Sequence, residues 1–82
     1  MVEGKISKLD LNSRKAVIVT ESGEEINVRF TDQVNVEIAE AETMGTVGGF
    51  LEDLEEGYTV VLDLSSPDQD GVHRCNSVEC IS

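Results

Sequence analysis

The chain has 82 residues, which fits one domain with a small core, since a chain of this size buries roughly 60–65% of its unfolded surface. Its hydrophobic share is 39%, gathered in short β-branched runs, and that concentration excludes a disordered chain. The formal net charge is −11. No stretch approaches the roughly 18 apolar residues of a membrane span, and the first ten residues mix acid and base without the apolar core of a signal peptide, so a cytoplasmic location is expected.

Val2 to Leu11 reads as a first strand. Val2, Gly4 and Ile6 alternate, and the phase slips before Leu9 and Leu11, as at a β-bulge. Gly4 lies inside the pattern, where it permits tight curvature. Asn12-Ser13-Arg14 is a polar turn. Lys15 to Thr20 is the most β-prone run in the chain and is apolar on both faces. Glu21 to Glu24 is a hairpin turn, with Gly23 free to take positive φ.

Glu25 to Ile38 shows the clearest alternation: Ile26, Val28, Phe30, Val34, Val36 and Ile38 share one parity. Asp32 falls in that apolar phase and marks an irregularity. Ala39 to Val47 is ambiguous between loop and helix, and Gly48-Gly49 ends it. Phe50 to Glu56 fits one or two helical turns with Phe50, Leu51 and Leu54 on one side, and Gly57 stands where a helix C-cap glycine belongs. Its acidic residues suit the helix dipole poorly, so the helix is expected to be short. Tyr58 to Leu64 is a fourth strand, Ser65 to Gly71 is turn chemistry, and Val72 to Ile81 is a fifth strand. Phe30, Val28, Ile26, Ile18, Ile6, Leu54, Val60 and Leu62 are the expected core.

Three strands, a short helix and two strands is the order of an OB-like barrel, a five-stranded, partly open, all-β Greek key. An SH3-like barrel is the alternative; the helix-bearing insertion between the third and fourth strands favours the OB type. Val2-Glu3-Gly4-Lys5-Ile6, then Val17-Ile18-Val19-Thr20 before a glycine turn, Phe30-Thr31, and Asp53-Leu54-Glu55-Glu56-Gly57-Tyr58-Thr59-Val60 before an Asp-Gly turn together resemble small bacterial OB-like domains of unknown function. The resemblance implies a fold and no catalytic residue.

Cys75 and Cys80 are expected to be reduced and unpaired. In an extended strand their Cα atoms lie about 16 Å apart, beyond the roughly 7 Å a disulfide tolerates, and their odd spacing puts them on opposite faces. Two free thiols suit a reducing compartment. His73 and Cys75 could share a face, but no third group to orient them is indicated. Ser66 to Gly71 looks superficially like the start of a calcium loop, yet Ser77 stands where the twelfth-position glutamate belongs. His73, Cys75 and Cys80 supply at most three of a zinc site's usual four ligands. No catalytic residue, metal or cofactor is therefore expected, and the domain reads as non-enzymatic.

The charge is uneven. Residues 1–30 hold five bases and five acids, whereas residues 31–82 hold twelve acids and Arg74. Such a field opposes polyanions and anionic membranes. The expected role is an acidic binding module for a protein partner. Its candidate face is Arg14, Lys15, Val17, Val19 and Arg29, because a barrel buries only one face of the second strand and leaves the other to a partner. The alternatives are an OB domain that binds single-stranded nucleic acid, and an acidic inhibitor that mimics nucleic acid. The sign of the charge on the face of the second and third strands discriminates among them.

Crowded carboxylates disfavour one another's ionisation, which raises pKa values in the folded state. A raised folded pKa means that the folded protein binds protons more readily, so stability rises as pH falls from neutral. Thermal melts should therefore show Tm rising from pH 7 to about 5.5, and from low salt to about 0.3 M as screening shortens the Debye length. A Tm that falls along both axes would show that attractive ion pairs dominate instead.

Overall fold

The computed structural model describes residues 1–40, 42 and 44–81. Six strands occur among them: β1 (Val2–Asp10), β2 (Lys15–Val19), β3 (Glu25–Ala39), β4 (Thr46–Gly49), β5 (Thr59–Pro67) and β6 (His73–Cys80). β1, β2 and β3 form the expected antiparallel meander, with Gly23 at φ +86° in the second turn. β5 and β6 form a second antiparallel pair, joined through an Asp-Gly turn.

The two units close on each other twice. β1 runs antiparallel to β5, with Gly4 opposite Val60. β3 runs parallel to β6, with Phe30 opposite Cys75 and Val36 opposite Val78. The circuit β1–β2–β3–β6–β5–β1 is an OB-like five-stranded barrel, paired at every step. β4 is an extra strand laid antiparallel on the second half of β3.

Alternation sends Ile6, Ala16, Ile18, Val28, Phe30, Val36, Val60, Leu62, Cys75, Val78 and Cys80 into the barrel, where Leu51 and Leu54 join them. Seven of the eight expected core residues are buried, and Ile26 packs half-buried against them. Gly4 pairs with Val60 on β5 and lies close against the end of β2. A Cβ there would stand 2.6 Å from the Val19 carbonyl oxygen and 2.7 Å from the Ile18 side chain. The close approach of the strands at this point thus depends on a missing side chain.

Three expectations change. The helix after Gly49 is a single 3-10 turn, Leu51–Asp53, with extended residues on both sides of it. In 3-10 geometry i and i+3 share a side, so Leu51 and Leu54 enter the core while Phe50 stays 74% exposed. A segment this short gains too few hydrogen bonds to offset nucleation, and four carboxylates from Glu52 to Glu56 have no cation among them. Gly57 accordingly caps no helix; it takes φ +95° in the turn that leads to β5.

The stretch read as loop or helix, Ala39 to Val47, instead turns back into β4, which ends with the Gly48-Gly49 pair. Ala41 and Thr43 of that stretch lie outside the described residues, as does Ser82.

Finally, Cys75 and Cys80 face the same way, into the core, and no disulfide joins them. Asn76 is the cause. Ser77 pairs with Asp63 and Cys75 with Leu64, so Asn76 is an extra residue that resets the parity of β6.

Phe30→Ala should cost about 3–5 kcal/mol by opening a cavity in this core. Gly4→Ala should cost about 1–3 kcal/mol by overpacking, while Gly48→Ala, with nothing within 4 Å of the new Cβ, should cost far less. Denaturant melts of the three variants measure all of this; equal losses at Gly4 and Gly48 would refute the role given to Gly4.

Candidate functional site

Because alternate residues of a barrel strand face out, the registers fix the composition of the outer wall. On β2 the outward residues are Lys15, Val17 and Val19, and both valines are half-exposed. Lys15 lies opposite Asp10 on β1 and Arg29 on β3. Arg29 in turn lies opposite Arg74 on β6. The next row is Lys8, Val17 and Asn27, and the row after it is Lys5, Val19 and Glu25.

Five of the six basic residues, Lys5, Lys8, Lys15, Arg29 and Arg74, therefore lie on one stretch of wall around two valines. Among the described residues none of the five has a carboxylate within 4 Å. Beyond this stretch, Glu3 lies opposite Val61, Val61 opposite Glu79, and Glu79 opposite Glu37. A net charge of −11 thus conceals a basic face backed by an acidic one.

The sixth base, Arg14, closes one end of the face. It occupies the left-handed region at φ 58°. Its carbonyl accepts from the Phe30 amide at 2.8 Å. Its Nε donates to the Phe30 carbonyl oxygen at 3.3 Å, its Nη2 donates to the Thr31 carbonyl oxygen, and Nε stands 3.8 Å from Asp32 Oδ1. Arg14 is therefore a clip between the β1–β2 turn and β3, as well as a charge on the site.

Two clefts border the face. One, of about 450 Å³, has Lys8 and Lys15 at its rim and Leu9, Ala16 and Val28 in its lining. Glu56 also lines it, and its Oε2 accepts from the Leu9 amide at 3.1 Å. The other, of about 380 Å³, is lined by Arg14, Arg29, Arg74, Asp32, Ser13, Phe30 and Thr31.

Two carboxylates near this end, Asp10 and Asp68, are turned toward backbone. Asp10 Oδ1 accepts from the amides of Asn12 and Ser13, and its pKa is lowered first by the Ser13 hydroxyl and then by the Ser13 amide. Asp68 Oδ1 accepts from the amides of Val72 and Asp70 at 3.0 and 2.8 Å. Those two bonds, Val72 first, hold its pKa down, with smaller help from Arg29 and Arg74. Both carboxyls run opposite to the upward shift expected from crowding. The Asp68 bonds close the turn from Asp68 to Val72, with Gly71 at φ +78°, whereas Ser65 to Pro67, expected in that turn, extend β5.

All five residues proposed from sequence, Arg14, Lys15, Val17, Val19 and Arg29, come together here. Lys5, Lys8 and Arg74 were missed. Lys8 follows the phase slip in β1, which hides its parity, and Arg74 arrives through a parallel pairing that no local pattern reveals.

His73 and Cys75 make their bonds elsewhere. His73 Nδ1 lies 2.9 Å from the Ser65 carbonyl oxygen, and Cys75 Sγ donates to the Ser77 carbonyl oxygen at 3.2 Å. Burial pushes the Cys75 thiol up to about 12. Among the described residues, no three His, Cys, Asp or Glu side chains converge as a metal site would need, and no helix is long and apolar enough to cross a membrane.

No family model matches the chain. No curated protein matches it in sequence. In fold the chain is similar to a solved structure, CusF from Escherichia coli, a tryptophan-to-alanine variant with Cu(II), with a TM-score of 0.59 at 15% identity, covering 98% of this chain and 88% of that one. The likeness is one of fold, and it places the chain among small OB-like barrels.

A carboxyl whose folded pKa is lowered stabilises the protein above its unfolded pKa, and that contribution is lost as pH falls through the folded value. For Asp10 and Asp68 the window lies below pH 4, since both are lowered from 3.8. Asp10→Asn and Asp68→Asn should therefore flatten the fall of Tm below pH 4 and leave the slope between pH 7 and 5.5 unchanged. Melts of the two variants across both ranges check this, and a changed slope above pH 5 would refute it.

Proposed function

We propose that the protein is a non-enzymatic binding module that engages a protein partner through the outer face of β1, β2 and β3. The observation that carries this reading is the segregation of charge: on a chain of net charge −11, the unpaired bases surround half-exposed Val17 and Val19. An apolar centre with a charged rim is the usual anatomy of a protein interface.

Single-stranded nucleic acid is the competing reading, since the face is basic. Such sites stack bases on exposed aromatic rings. Phe30 points into the core, the Tyr58 hydroxyl donates to Glu55 Oε2 at 2.8 Å, and exposed Phe50 shares a cleft with Arg14 and Asp32 at the end of the face. The rows around Val17 and Val19 hold no aromatic ring, so the face offers one stacking ring at its end and charge elsewhere.

Val17→Asp combined with Lys15→Glu should abolish retention of a specific protein, by about tenfold or more in affinity, while Glu3→Gln combined with Glu79→Gln leaves it intact. Quantitative pull-down with both double variants and the unaltered chain measures this. Binding titrations against oligodeoxythymidylate supply the other arm: tight binding that weakens steeply with salt and is lost in the Val17/Lys15 variant would assign the face to nucleic acid instead.

A further inference from the structure

The three arginines of the chain converge on one cleft. Arg14, Arg29 and Arg74 all line the cavity of about 380 Å³ at the end of the basic face, together with Ser13, Thr31 and Asp32. They arrive from three separate places: the β1–β2 turn, β3 and β6. Arg29 and Arg74 are direct register partners in the parallel pair, and parallel neighbours lie about 4.8 Å apart. Two exposed guanidinium groups so placed repel each other, and among the described residues neither has a carboxylate within 4 Å. Both attract Asp68 only weakly, next to its two backbone amide bonds.

The donors are also available. A guanidinium carries five N–H groups. Arg14 directs two nitrogens at the carbonyls of Phe30 and Thr31, which fixes its plane. Among the described residues, the side chains of Arg29 and Arg74 have no hydrogen bond to protein. The carboxylate nearest to them on the β5–β6 turn, Asp68, has its Oδ1 committed to two backbone amides. The lining thus carries three positive charges against the one negative charge of Asp32, in a protein where acids outnumber bases seventeen to six.

We propose that this cleft is a binding site for a phosphate monoester dianion, with Arg29 and Arg74 as its principal ligands and Arg14 as the fixed third. A phosphate monoester carries about −1.5 to −2 charge near neutrality and three acceptor oxygens, which answers the lining charge and the forked donors of arginine. A single carboxylate leaves part of that charge unmet. The rest of the molecule repels long polyanions, whereas a compact dianion lies within about one Debye length of the arginines, roughly 8 Å at physiological salt. The phosphate belongs either to a phosphorylated side chain of a partner or to a small phosphorylated metabolite, and the site reads the group they share.

The inference stands apart from the protein-partner reading, because inorganic phosphate tests the cleft directly. The isotope-labelled full chain is titrated with sodium phosphate at pH 7.5 and constant ionic strength held with chloride, while NMR follows the arginine Nε–H groups and the amides of Ser13 and Thr31. Saturable shifts confined to these groups are expected. Arg29→Gln and Arg74→Gln should each weaken binding about tenfold with unchanged Tm, since both side chains are exposed. Lys5→Gln removes the same charge two rows away and should leave binding unchanged.

Non-saturating shifts, equal losses in all three variants, or matching shifts with chloride alone would overturn the proposal. Two further probes distinguish the sources. A phosphoserine peptide that binds more tightly than phosphate, and than its unphosphorylated form, points to a partner protein. Adenosine monophosphate binding more tightly than the phosphopeptide keeps the site and removes the protein-partner reading.

Discussion

The parallel pairing of β3 with β6 is the constraint on which the rest of the structure depends. β3 is fifteen residues long and serves three neighbours: β2 along its first half, β4 along its second, and β6 on both sides of the irregularity between Phe30 and Asn35. Parallel pairs cannot be made by a hairpin. Their formation requires β6 to be carried back across the molecule from β5, and that return seals the core. It places Cys75 beside Phe30 and Val78 beside Val36, so the last strand fills the wall that the meander leaves open. It also sets Arg74 beside Arg29, and Glu79 beside Glu37.

That one pairing divides the outer surface electrically. Counted along the sequence, the first thirty residues are neutral and the remainder is strongly acidic. Counted around the barrel, the division is different. The lysines of β1 and β2 meet the arginines of β3 and β6 on one stretch, and Glu3, Glu37 and Glu79 gather on another. Glu37 is partly compensated: its carboxylate accepts from Asn35 Nδ2 and from Thr46 Oγ1, both at 3.4 Å. Net charge governs solubility and long-range steering, whereas the local row governs what can touch the face.

What the sequence made legible is what depends on neighbours along the chain. Alternation from Ile26 to Phe30 identified the inner face of β3, and Glu21 to Glu24 announced a hairpin through Gly23. Gly4, inside a strand pattern, marks a place where the backbone of β2 comes too close for a Cβ. Features that depend on partners across the sheet were harder to see. Asn76 is an ordinary polar residue in a strand, and only its lack of a partner on β5 reveals that it shifts Cys80 inward. β4 holds two glycines and a single half-exposed valine, too little apolar content to announce a strand; it exists because β3 extends far enough to template it. Of the site, Lys15, Val17, Val19, Arg29 and Arg14 were visible because β2 is apolar on both faces and a barrel needs only one. Arg74 was invisible, because its position is a property of topology.

The same topology has a temporal side. The contacts that close the barrel join Val2 to Leu62 and Val28 to His73, so most of the ordering entropy falls due before the closing contacts form, and folds of this kind mature in milliseconds to seconds. During synthesis at about 5–20 residues per second, β1 to β3 emerge as a curled sheet whose apolar side, Ile6, Ile18, Val28 and Phe30, has no cover. That surface waits a few seconds for β5 and β6 to arrive. The Lys and Arg residues on its outer side and the acids that follow in the chain carry opposite charges throughout that interval. Because the first thirty residues hold as many acids as bases, that contrast is local and screened beyond about 8 Å, and the uncovered apolar side is the surface most open to wrong association until β6 pairs with β3.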